Sequence, residues 1–115
     1  MANTFKVVTK AGVTSADVIY TVAGSTTTII LGLVLGNTTS STITATVTLG
    51  SDTGNRAGAN NEANQDVEII TSAAIPGNSS LEIMGGNKIV MEATDTLSVT
   101  GSAATDIALS IMEMT

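Results

Sequence analysis

Thr42-Ile43-Thr44-Ala45-Thr46-Val47-Thr48-Leu49 alternates a hydroxyl with an apolar side chain at every step. Successive side chains on a strand point to opposite faces. This stretch therefore reads as a strand with Ile43, Ala45, Val47 and Leu49 turned inward and its threonines turned to water. The same chemistry runs through the chain. Thr occurs 20 times and Ser 11 times in 115 residues, and only 12% of the residues are charged. Charged residues make up about a quarter of an ordinary soluble domain, so hydroxyls supply the surface polarity here. Thr competes with the helical backbone for hydrogen bonds and prefers strands. With 43% hydrophobic residues and a net charge of −6, there is enough apolar material for a core and too little repulsion for disorder. The reading is all-β.

Strand signals recur on both sides of this stretch, at residues 4–9, 17–22, 26–35, 66–71, 80–84, 88–92, 96–100 and 106–114, with Val18 and Tyr20 on one face of the second. Turn chemistry separates them: Ala23-Gly24-Ser25, Gly36-Asn37-Thr38, Pro76-Gly77-Asn78, Gly85-Gly86-Asn87 and Thr94-Asp95. Eight to nine short strands at this spacing predict one domain over residues 1–115, an antiparallel β-sandwich of jelly-roll or Ig-like type. A chain this short buries about two thirds of its unfolded surface, which is one core.

Two strands carry more apolar surface than one core needs. In the stretch 29–36, Ile29, Leu31, Leu33 and Leu35 fit an inward face. The other face reads Ile30, Gly32, Val34 and Gly36, apolar but with a side chain missing at alternate places, and Gly permits close backbone approach. Either another layer of the same domain or a neighbouring subunit covers that face. Near the C-terminus, Ile107, Leu109 and Ile111 face one way and Ala108, Ser110, Met112 and Met114 the other. Adaptable Met side chains suit a protein contact and core filling alike. Ile30, Gly32, Val34, Gly36, Met112 and Met114 are thus candidate interface residues. From 50 to 65 the chain has no apolar period and is rich in Gly, Asn and small residues, a long loop that contains Arg56, the one Arg. Long loops on rigid β scaffolds often carry contacts, and the guanidinium of Arg56 is suited to anchoring a partner carboxylate.

Composition closes several functional classes. Four Lys+Arg against 10 Asp+Glu provide no basic track for nucleic acid, and an anionic membrane surface repels such a chain. The absence of His and Cys removes imidazole bases, thiol chemistry and the ordinary zinc sites. The first residues lack the pattern of a signal peptide, and the apolar run 29–35 is far shorter than the roughly 20 residues that span a bilayer. The expectation is a soluble, non-enzymatic protein with no cofactor and no metal. Asp52, Glu62 and Asp66 flank the long loop and are the only arrangement resembling a calcium site. Glu82 and Glu92 are the one carboxylate pair that a hairpin would bring together as acid and base. A sugar site wants an aromatic platform, and only Phe5 and Tyr20 exist, the latter expected in the core. Lys88 opens a strand and is placed for a cross-strand pair with an acid, worth little at a surface.

The C-terminal half carries a resemblance. Ala74-Ile75-Pro76-Gly77-Asn78-Ser79-Ser80-Leu81-Glu82, Met84-Gly85-Gly86-Asn87-Lys88-Ile89-Val90-Met91-Glu92, Asp95-Thr96-Leu97-Ser98-Val99 and the closing strand 106–114 together resemble small β-sandwich structural proteins of tailed bacteriophages, including marine and cyanobacterial phages. Met1-Ala2-Asn3-Thr4-Phe5-Lys6, Tyr20-Thr21-Val22 and Leu33-Val34-Leu35-Gly36-Asn37-Thr38 agree with it. The resemblance covers most of the chain except loop 50–65, and its residues are strand and turn residues without chemistry. It implies a virion part: a capsid decoration (cement) protein on the outer shell, with a neck or tail accessory ring as the alternative and a glycan-binding tail-fibre module as a further one. Its implied partners are the major capsid protein or neck and tail proteins, together with further copies of itself. An acidic surface would steer such a part onto a basic patch of its partner, and an exposed edge strand could extend a neighbour's sheet.

Overall fold

The computed structural model describes residues 2–51, 65–84 and 87–115. Among the described residues nine strands form: β1 (Asn3–Val13), β2 (Asp17–Thr21), β3 (Thr27–Asn37), β4 (Ile43–Ser51), β5 (Gln65–Ile75), β6 (Ser80–Glu82), β7 (Ile89–Met91), β8 (Thr96–Gly101) and β9 (Thr105–Met114). They build two antiparallel sheets. One has the order β1-β9-β3-β6 with β7 also on β3, and the other the order β2-β8-β4-β5. Only β4 and β5 are neighbours both in sequence and in a ladder; most other connections cross between the layers. The fold is a single-domain β-sandwich, as the alternation and turn spacing predicted.

The core lies between the layers. Ile30, Leu33, Leu35, Met91, Leu109 and Ile111 enter it from the five-stranded sheet, and Val47, Ile75, Leu97 and Val99 from the four-stranded one. Each such side chain contributes roughly 1.5–3 kcal/mol of burial free energy. Strand β4 behaves as its alternation requires: Ile43, Ala45 and Val47 are buried and Leu49 packs against them.

Strand β3 departs from its predicted parity. Ile30 pairs with Ile111 and Gly32 with Ser110, so Leu31 is an extra residue in the ladder. An inserted residue reverses which side chains face inward. Before the bulge Thr28 and Ile30 point into the core, and after it Leu33, Leu35 and Asn37 do so. Ile30 is therefore a fully buried core residue, and Ile29 and Leu31 belong to the outer side. The run from Ile29 to Leu35 is apolar at nearly every position, so no polar residue marks the change.

A second bulge, between Val18 and Tyr20, has the same effect on β2. Val18 is exposed, Ile19 is buried, and Tyr20 is half-buried against the core rather than on Val18's face. The predicted loop 50–65 is also shorter than expected at its ends. Gly50 pairs with Asp66 and Ser51 with Gln65, because the strand backbones continue their ladder beyond the last apolar side chain. Arg56, Asp52 and Glu62 lie outside the described residues.

Candidate functional site

The inner face of the five-stranded sheet fills the core; no described residue packs over its outer face. Ladder partners in neighbouring strands share a face, so the register assigns the outer rows directly. Phe5, Met112, Ile29 and Val90 form one row across β1, β9, β3 and β7. Val7, Ser110 and Gly32 form the next, and Thr9, Ala108, Val34 and Glu82 the one beyond it. On the other side of the Phe5 row stand Asn3, Met114 and Thr27. Phe5 is 70% exposed, Val7 64% and Val90 52%. Four of the six large hydrophobic side chains exposed on the described surface (Phe5, Val7, Val34 and Val90) stand on this face.

The face holds no charge across its centre. Among the ion-forming residues nearby, Lys6 and Glu113 lie on the opposite side of the same strands, since Lys6 pairs with Ile111 and Glu113 with Thr28. Glu82 on β6 and Asp106, paired with Gly36, stand together at one end. The Asp106 carboxylate accepts a hydrogen bond of 2.9 Å from the Gly12 amide.

Most of the interface residues expected from sequence fall on this surface. Gly32, Val34, Met112 and Met114 are on it, and Gly36 is at its acidic end. Ile30 is not, because the bulge turns it into the core. A Cβ added at Gly32 would meet nothing within 4 Å, so no layer among the described residues covers the face there. Sequence reasoning missed Phe5, Val7, Ile29 and Val90. The alternation of Phe5 and Val7 with Lys6 was a usable signal, but nothing in it shows that β9 leaves that side of β1 uncovered.

At the edge between the layers a polar cluster closes the core. Tyr20 donates its phenol proton to Glu113 Oε2 at 2.5 Å, and the Thr28 hydroxyl lies 2.7 Å from the same phenol oxygen. Lys6 forms an ion pair with Glu113 Oε1 at 2.6 Å. The hydrogen bond from Lys6, and then that from Tyr20, hold the Glu113 carboxyl below its usual range. Burial, and then the bond to Glu113, push the Tyr20 phenol up to about 12. Every group here is satisfied by another, which suits a structural tie.

The carboxylate pair considered from sequence is not brought together. Strands β6 and β7 do not pair with each other but sit end to end along β3, at Val34–Gly36 and Thr28–Ile30. Glu82 and Glu92 are thereby separated by roughly 20 Å of strand rise rather than facing across a hairpin. Among the described residues no three carboxylates converge on a metal-sized site. Asn37, read as a turn residue, is buried instead. Its side-chain amide donates to the carbonyls of Ser41, Ile75 and Pro76 at 2.7, 2.9 and 3.1 Å, and its oxygen accepts from Thr39.

No family model matches the chain, and no curated protein matches it. Among solved structures, a chain described in the words "Bacillus endospore appendages form a novel family of disulfide-linked pili" is similar. It is 16% identical, with 99% of this chain and 87% of that chain covered and a TM-score of 0.49. The 115 residues here contain no cysteine.

Proposed function

We propose that this chain is a structural subunit of a tailed-phage virion, a decoration protein seated on the outer shell. The observation that carries an assembly role is the exposed outer face of the five-stranded sheet, uncharged in the rows through Phe5 and Val7, with Phe5, Val7 and Val90 standing out from it. Contiguous apolar surface of this kind marks an interaction site on a soluble domain. The strand and turn residues that resemble phage β-sandwich proteins support the virion setting. The remaining surface supports the shell as partner: six surplus negative charges steer the subunit toward a basic patch and discourage non-specific association.

Quantitative mass spectrometry of purified particles, counting this chain against the major capsid protein, tests the proposal. The expected ratio is parity or a simple fraction of it. A count that fills only one or a few rings overturns the decoration role in favour of a neck or tail ring. Absence from the particle overturns the virion reading.

A further inference from the structure

We infer that the occupant of the open sheet face is a second copy of this chain, packed sheet against sheet about a two-fold axis. This deepens the assembly reading above by naming the partner. Charge is the first argument. The chain carries 10 acidic and 4 basic residues, yet the rows through Phe5 and Val7 hold none. A basic partner would gain nothing from such a face and would lose hydration from its own charges on docking. A second copy brings the same uncharged rows, so the centre of the contact buries no ion. Repulsion between two acidic bodies acts through the ends of the face and the remaining surface, where salt screens it over about 8 Å.

The placement of the acids selects one geometry. Glu82 and Asp106 stand at the end of the face marked by Val34 and Gly36, while Asn3, Thr27 and Met114 mark the other end. A two-fold axis lying in the interface and running across the strands sets the Glu82 and Asp106 end of one copy over the Asn3, Thr27 and Met114 end of its twin. An axis parallel to the strands would stack acid on acid. Isologous contacts place one patch on itself with such an offset.

Area is the second argument. Four strands at about 4.8 Å spacing and a length of about 35 Å along β3 give a face of roughly 650 Å². Two copies would bury about 1,300 Å², within the range of specific, stable interfaces. Two inner faces packed in this way sit about 10 Å apart, the distance already used within the domain. The open space over Gly32 gives the twin's larger side chains somewhere to enter.

Sedimentation equilibrium of the purified chain at micromolar concentrations tests the inference. The expected mass is twice the 11.5 kDa of one chain. Val7→Asp and Val90→Asp, both at exposed positions, should each raise the dissociation constant by about 100-fold or more while circular dichroism stays native. Val18→Asp, equally exposed but on the other sheet, should leave the mass unchanged. A wild-type monomer, or a dimer that survives both face variants, overturns the inference. Presence in the particle with a monomeric mass removes this inference alone, and a dimer absent from particles removes the virion reading alone.

Discussion

Tyr20 and Glu113 lie 93 residues apart, on different sheets, and are joined by a hydrogen bond of 2.5 Å from the phenol to the carboxylate. The phenol has one proton, so Thr28 completes the cluster by donating its hydroxyl to the phenol oxygen at 2.7 Å. Lys6 on β1 meets the other carboxylate oxygen at 2.6 Å. Strands β1, β3 and β9 of one layer are thus tied to β2 of the other at a single point. Tyr20→Phe removes the proton that Glu113 accepts. A hydrogen bond to a charged group contributes roughly 1.5–3 kcal/mol, and a loss of that size in urea unfolding is the expected result.

The same pair sets a pH signature at each end of the scale. The folded Glu113 carboxyl lies below its ordinary value of 4.5, so its contribution is full above that value and is lost as pH falls through the lower folded one. The stability gap between wild type and Glu113→Gln should therefore close on acidification. Tyr20 shifts the other way, from 10.0 to about 12. Its contribution is complete below 10.0 and declines as the unfolded phenol ionises first, across the window up to about 12. Tyr20→Phe should lack that alkaline decline, which pH-jump unfolding measures.

The bulge at Leu31 makes adjacent isoleucines unequal. Ile30→Ala empties a fully buried site and should cost about 2–5 kcal/mol. Ile29→Ala trims the outer face and should cost under about 1 kcal/mol in the monomer. Denaturant unfolding of the two variants reads the parity of the strand directly. The reverse order would mean that β3 runs without the extra residue.

Asn37 holds the end of β3 to the turn after it and to the end of β5 through three carbonyls. Asn37→Ala leaves a buried Ile75 carbonyl without this donor, at about 1–3 kcal/mol. Asn37→Asp should cost more than Ala, because a carboxylate facing those carbonyls can accept but not donate. Thermal melts of the pair test this ranking.

Gly101 ends β8 where the chain turns toward β9. A Cβ there would stand 2.7 Å from the Val13 carbonyl oxygen and 2.8 Å from that of Ala103, both backbone atoms that cannot swing away. Gly101→Ala should cost about 1–3 kcal/mol as overpacking. Gly24→Ala, with nothing within 4 Å of the added atom, should lie within about 0.5 kcal/mol of wild type in the same melt.

By itself the sequence determined the fold class and the strand inventory. Thr against Val, Ile and Leu at a period of two separates the faces of β4, and Gly, Pro and Asn mark the turns. These are local preferences, felt within a few residues of each position. It also placed Gly32, Val34, Met112 and Met114 on a second apolar surface, since neither β3 nor the end of β9 has a polar side to turn outward. What only the tertiary structure decided is which rows of side chains adjoin. Leu31 drops out of the ladder, and Ile30 and Leu33 on either side of it are both fully buried in the core between the layers. Phe5 and Val7 join Met112 and Ile29 because the first strand pairs with the last, across more than a hundred residues. Glu82 and Glu92 part because two short strands share one partner end to end. Pairing of distant strands follows from the summed burial of the whole core, and no short window of sequence contains that sum.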